Sequence, residues 1–199
     1  KVDMHNGHII GGEALVRWQN DKEMIYPDQF IPVLEKNGYV IDVDNFIWNK
    51  VCACIKMMED KGIEPVPISV NVSRMHVYQE KFTENLKNMA GEYGIDPKYI
   101  PLEITESAFT KEEGSLFKKV QSLQGYGFKF SMDDFGSGYS SLGMLKSERV
   151  DEVKIDKTFV DDIATDKGKV LLGNVIRMIN ELGIDMIAEG VETKEQADF

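Results

Sequence analysis

Two hydrophobic periods take turns along this chain. Strand-like stretches occupy 9–15, 66–72, 100–105, 128–132, 152–155 and 186–188, and in the middle four of these, apolar residues alternate with polar ones in the two-residue repeat of a β-strand. Between these stretches the apolar positions recur at helical spacing: 27–36, 43–61, 79–92, 113–123, a short piece near 142–145, 169–182, and a last helix opening at Thr193. Local punctuation agrees, since Pro27 suits a first helical turn while Gly38, following Asn37, and Gly62 suit helix ends. Asn6-Gly7 is a hairpin signal between Val2-Asp3 and the strand at 9–15. The chain is therefore expected to begin inside a first strand that runs antiparallel to the second.

Strands alternating with helices predict a parallel sheet with right-handed crossovers. A sheet covered by helices on both faces would carry continuous apolar runs. These strands instead have one polar face. Ser69, Asn71 and Ser73 oppose Val70 and Val72; Glu103 and Thr105 oppose Leu102 and Ile104. Lys129, Ser131 and Asp133 oppose Phe128, Phe130 and Met132, and Glu152, Lys154 and Asp156 oppose Val153 and Ile155. Apolar outside and polar inside is the signature of a barrel ringed by helices.

Length and charge narrow the picture. The 199 residues fit one α/β domain. No apolar run approaches the roughly 20 residues of a membrane span. A net charge of −11 argues against a general nucleic-acid surface but leaves room for a phosphorylated small molecule that meets bound cations. Cys52 and Cys54 lie in a helical pattern without sharing a face, and His5, His8 and His76 have no matching spacing, so a soft-metal site is disfavoured. Reduced thiols and the absence of a signal-peptide pattern point to the cytoplasm.

The predicted strands end in Glu13, Asn71, Glu103, Asp133, Lys154 and Glu189. In a parallel barrel such ends share one rim, where barrel active sites lie. Singly, each has a plainer reading: a solvated acid, a turn amide, a snorkelling lysine. Their recurrence on the inward face of strand after strand favours a common site. Carboxylates plus an amide oxygen form a hard donor set suited to Mg²⁺ or Mn²⁺. Asp134, beside Asp133, either reaches a second cation or caps a turn, with Gly136 and Gly138 giving the following loop its freedom. Lys154 could hold a phosphate oxygen, orient a water or form a Schiff base, although nearby carboxylates oppose the neutral amine that last role needs. Arg17, four residues after Glu13, reads as a phosphate clamp or an ordinary rim ion pair.

Six segments then carry a resemblance: EALVRW, SVNVS, LEITES, DDFGSGYSSL, KIDKTF and AEGVET occur in the order found in EAL-domain cyclic-di-GMP phosphodiesterases. The resemblance covers nearly the whole chain. It implies a modified TIM barrel with an antiparallel first strand, here lacking most of that strand and the last one, so that 1–199 would be a single EAL domain truncated at both ends. It implies hydrolysis of cyclic di-GMP to linear pGpG with two Mg²⁺ or Mn²⁺ ions. Carried over by motif, Glu13, Asn71, Glu103 and Asp133 are metal ligands, with Asp134 at the second ion and Glu189 a ligand or the general base. Lys154 and Asp156 organise the attacking water, Leu15 and Arg17 meet substrate, Glu106 steadies the DDFGSGYSSL loop, and Glu192 supports the site. Ser137 stands where the family usually has threonine. The resemblance also implies a homodimer joined to sensory or GGDEF modules, with no nucleic-acid or membrane contact by this domain. A receptor that binds cyclic di-GMP without cleaving it is the alternative function, and a Schiff-base barrel lyase a third.

Overall fold

Six parallel strands build the sheet at the centre of the computed structural model, which describes residues 1–21, 23–109, 113–136, 145 and 150–199. Along the chain these strands are β1 (Gly12–Ala14), β4 (Ile68–Asn71), β5 (Leu102–Thr105), β6 (Phe130–Phe135), β7 (Glu152–Ile155) and β8 (Asp185–Ala188), and they pair in that order. Two further short strands, β2 (Trp18–Gln19) and β3 (Met24–Ile25), form a separate antiparallel hairpin. The helices are α1 (Pro27–Asn37), α2 (Val40–Asp60), α3 (Arg74–Tyr78), α4 (Phe82–Tyr93), α5 (Glu106–Phe109), α6 (Glu113–Gln124), α7 (Lys157–Asp161), α8 (Asp166–Glu181) and α9 (Lys194–Asp198).

The sheet is curled. Lys154 on β7 and Glu13 on β1 stand four steps apart in the strand order, about 19 Å if the sheet were flat. Their side chains nonetheless meet at 3.2 Å, so the sheet bends round as part of a barrel wall. The predicted division of faces explains the bend. Val70, Leu102, Ile104, Phe130, Met132, Val153 and Ile155 are buried with Trp48, Val51, Cys52 and Ile55 of α2, Phe82 and Leu86 of α4, and Leu116 and Leu123 of α6. The opposite face carries Ser69, Glu103, Ser131, Asp133 and Lys154, all buried. Curling excludes water from the apolar side and converges the polar groups on one another.

Local chemistry sets the element ends. Gly38 terminates α1 in the left-handed region (φ 84°), where its N–H reaches the Glu35 carbonyl. The expected helix at 79–92 is α4, which begins only at Phe82, and before it stands a short helix the period did not indicate, α3, whose start Ser73 caps by accepting from the His76 N–H. α2 starts at Val40, three residues earlier than the apolar period indicated. The expected strand at 9–15 contracts to Gly12–Ala14, and its antiparallel predecessor is the single bridge between Val2 and Ile9. The short helix expected near 142–145 falls, apart from buried Leu145, outside the described residues, as do Ser137 and Gly138. Among the described residues no helix is long and apolar enough to cross a membrane.

Cys52 lies wholly within this core, and burial pushes its thiol up to about 12. In the folded protein at about pH 8 we expect iodoacetamide to leave Cys52 unmodified and to react first with half-buried Cys54, with Cys52 reacting only on unfolding. Peptide mapping reads the outcome, and rapid native labelling of Cys52 would contradict the packing.

Candidate active site

Each parallel strand delivers a side chain to one rim. Glu13 comes from β1, Asn71 from the end of β4, Glu103 from β5, Asp133 and Asp134 from β6, and Lys154 from β7. Glu189 follows β8, its N–H donating to the Ile155 carbonyl at 3.0 Å as though the ladder ran one rung further. The Lys154 ammonium is the hub. Its Nζ lies 2.8 Å from Glu103 Oε2, 2.8 Å from Glu189 Oε1, 2.9 Å from Asp133 Oδ1 and 3.2 Å from Glu13 Oε2. The Asn71 amide donates to Glu13 Oε1 at 3.2 Å. Glu13, Asn71, Glu103, Asp133, Lys154 and Glu189 are thus gathered into one basin.

Asp134 reaches the same basin through an irregularity. β6 pairs Met132 with Val153 and then Phe135 with Ile155, so Asp133 and Asp134 together oppose Lys154 alone. This is a β-bulge, which cancels the strict up-and-down alternation and re-aims a side chain. Asp134 takes φ 56°, the left-handed region that aspartate tolerates better than most residues. Oxygens of Asp133, Asp134 and Glu189 consequently lie within 4.8 Å of one another. Adjacent carboxylates that a flat strand would send to opposite faces share one side here.

Electrostatics divides the acids. Burial and the Glu103 carboxylate raise the Glu13 pKa, with Lys154 opposing. For Glu103 burial acts upward, but the Lys154 ammonium outweighs it and holds the group below the ordinary glutamate value. Burial, then Asp133 and Asp156, raise Asp134. Burial alone would lower the Lys154 pKa; Glu103, Glu189 and Asp133 overcome it and keep the amine firmly protonated. A Schiff base requires the neutral amine, so this environment is unsuited to a lyase lysine.

The remaining expected residues occupy other positions. Arg17 lies beyond the end of β1; its guanidinium donates to the Val16 carbonyl at 2.8 Å and stacks over Tyr26 at 5.5 Å, and it makes no ion pair with Glu13. Leu15 is exposed at the edge of a cleft of about 750 Å³, whose walls include Val43, Asn71, Arg74 and Thr105. Buried Glu106 accepts the Gly136 N–H at 3.2 Å, just where the chain leaves β6. Asp156 caps α7 through the Thr158 N–H at 2.9 Å, and Glu192 is exposed, paired with Lys157 at 3.0 Å rather than joined to the basin. Below the rim, Lys1 meets Glu152 at 2.8 Å and Glu103 at 3.3 Å, and the Ser131 hydroxyl donates to Glu152 at 2.9 Å. The alternation had put Glu152 on the inward face, but nothing local marked Lys1 as its partner.

A curled parallel sheet with an acidic rim around a protonated lysine defines an α/β barrel-type domain. The EAL domain family model matches residues 1–199, and the chain belongs to that family. Among curated proteins it is 31% identical over 201 residues to the bifunctional diguanylate cyclase/cyclic di-GMP phosphodiesterase MucR of Pseudomonas aeruginosa, covering 100% of this chain and 29% of MucR. It is 35% identical to the oxygen sensor protein DosP of Escherichia coli, covering 100% of this chain and 25% of DosP. The chain thus spans between a quarter and a third of the length of these relatives. The structure of the PaMucR phosphodiesterase in complex with c-di-GMP superposes with a TM-score of 0.90 at 31% identity, over 97% of this chain and 79% of that one.

Two outcomes follow for stability, both measured by denaturant unfolding in EDTA. Lys154→Met strands buried acids without their cation and is expected to cost about 3–5 kcal/mol; Glu103→Gln, which leaves Lys154 three carboxylate partners, should cost less, and the double variant should lose less than the sum by about 0.5–3 kcal/mol. Strict additivity would refute the hub. Asp134→Val forces a β-branched side chain into the left-handed region and should cost about 1–3 kcal/mol, whereas Asp134→Asn should unfold near the parent midpoint.

Proposed function

We propose that this chain is a catalytic domain that hydrolyses cyclic di-GMP to linear pGpG with two divalent cations, Mg²⁺ or Mn²⁺. The carrying observation is the charge imbalance of the basin: Glu13, Glu103, Asp133, Asp134 and Glu189 face the Lys154 ammonium, with Lys1 reaching only the underside of Glu103. A phosphodiester anion would be repelled from such a surface, and bound cations reverse the sign. The donors fit. All are oxygens, and the Asp133, Asp134 and Glu189 atoms, within 4.8 Å, approach the roughly 4 Å span of an octahedral oxygen shell.

In this reading Glu13, Asn71, Glu103 and Asp133 hold one ion and Asp134 reaches the second, with Glu189 either a ligand or the base that takes the proton of the attacking water. When bound, divalent cations supply Lewis-acid charge that neutralises the phosphodiester and allows water to act as a nucleophile near neutral pH. Lys154 keeps its four carboxylate partners aimed into the basin and offers a fixed positive charge toward the reacting phosphate. Asp156, turned to its capping bond, contributes by its field on Asp134. The cleft bordered by Leu15 receives the ligand, and Arg17 swings from Tyr26 to a phosphate. Glu106 holds the loop after β6, the segment through which a homodimer would form, and Glu192 supports α7 through Lys157. The domain works in the cytoplasm within a larger signalling protein carrying sensory or GGDEF modules. MucR and PdeG, the latter described as a probable cyclic di-GMP phosphodiesterase, support this reading.

The test is incubation with cyclic di-GMP and Mg²⁺ followed by chromatography. Linear pGpG is expected, EDTA should stop its appearance, and Glu13→Ala should fold without detectable hydrolysis. Near-normal turnover by Glu13→Ala would refute the assignment, and tight binding with no product would favour a receptor.

A further inference from the structure

Asn71 ends β4 where its neighbour β1 has already stopped. The Val70 and Val72 N–H groups donate to the Pro101 and Glu103 carbonyls, so these residues bond toward β5 and the Asn71 carbonyl faces the β1 side. On that side the register ends with Ala14 opposite Val70, leaving no strand to supply the next rung. The Trp48 indole N–H, from α2, donates to the Asn71 carbonyl at 3.0 Å instead.

Trp48 is itself held. It is 1% exposed, and the His76 ring lies against it with centroids 4.4 Å apart and planes 31° from parallel. His76 Nδ1 is 2.9 Å from Asp44 Oδ2, and the same oxygen accepts the Ser73 N–H at 3.0 Å. Phe82 closes the back of the stack, 6.3 Å from Trp48 and 6.1 Å from His76. A buried chain of contacts, a hydrogen bond from Asp44 to His76 and then the ring stack of His76 on Trp48, therefore ends on the peptide that aims the Asn71 amide at Glu13. The same Asp44 ties down the backbone two residues after Asn71. Sequence spacing gives no sign of it, because α2, β4 and α3 contribute separately.

We infer that Trp48, His76 and Asp44 are positioning residues that set the direction of the Asn71 side chain and thereby tune cation affinity at the basin. The inference rests on the reading of Asn71 as a cation donor. Outer partners of this kind typically change metal affinity about 10–100-fold when lost. Trp48→Phe keeps the ring and its stacking while removing the one N–H that matters, and His76→Phe keeps the stack while releasing Asp44.

The experiment measures Mn²⁺ binding to the intact protein by electron paramagnetic resonance, with Glu13→Ala defining the signal that belongs to this basin. Trp48→Phe is expected to weaken the Glu13-dependent binding about ten-fold, with His76→Phe changing it in the same direction. In an Asn71→Ala background Trp48→Phe should have no further effect. Parent-like Mn²⁺ affinity in both single variants overturns the positioning role alone. So does an undiminished Trp48→Phe effect without Asn71, which would mark a general packing role. Absence of any Glu13-dependent Mn²⁺ signal in the unaltered protein would overturn the cation basin itself and this inference with it.

Discussion

One buried ammonium organises this molecule. Lys154 is 2% exposed, and removing a cation from water costs several kcal/mol that a single ion pair roughly offsets. Here one desolvated amine is shared by Glu13, Glu103, Asp133 and Glu189, so its cost is borne once while the attraction recurs. The same contacts join strands from one side of the sheet to the other. Curvature of the wall and assembly of the basin are therefore one event. A sheet too flat to bring Glu13 to Lys154 would leave Glu13 without its cation and the ammonium with fewer of its acids.

The acids are not equivalent, and their differences follow from where the two lysines stand. Glu103 is touched by Lys154 on one oxygen and by Lys1 near the other, which keeps it charged. Burial first and then the neighbouring Glu103 raise the affinity of Glu13 for protons, against the pull of Lys154. Asp134 rises likewise, through burial and then the charges of Asp133 and Asp156. A group that holds a proton more tightly than usual at this rim is one whose negative charge is both buried and crowded by other acids. Uncompensated charge is what a divalent ion would relieve.

Much of this was legible in the chain. The two-residue alternation placed Ser69, Glu103, Ser131, Asp133 and Lys154 on the inner face, and all are buried there. It worked because the outer residues, such as Val70, Ile104 and Met132, had to be apolar to meet the helices. Strict alternation failed where the backbone departed from it. At Asp133 and Asp134 the bulge inserts a residue, so an acid that parity would send outward turns in. At Arg17 the strand had already ended at Ala14, so parity no longer fixes a face there. The β2 and β3 strands, two residues each, are shorter than any period can register. Lys1, Trp48 and His76 enter through tertiary packing alone, for which a single sequence holds no local mark.

The interior has two storeys with different charge balance. In the lower one, Lys1 faces Glu152 with Ser131 donating to the same carboxylate, a locally neutral arrangement with its hydrogen bonds met. In the upper one, strand ends, a bulge and the first residue past β8 contribute acids faster than the single lysine can compensate them. Adding a second lysine there would have made a quieter core. The fold instead spends backbone strain at Asp134 to bring in another carboxylate, a choice that lowers stability unless something binds. Both storeys meet at Glu103, so the neutral layer acts as a fixed floor under the acidic one. Any ligand that neutralises the rim must then also stabilise the curl, because the groups it contacts are the ones that join β1 to β7.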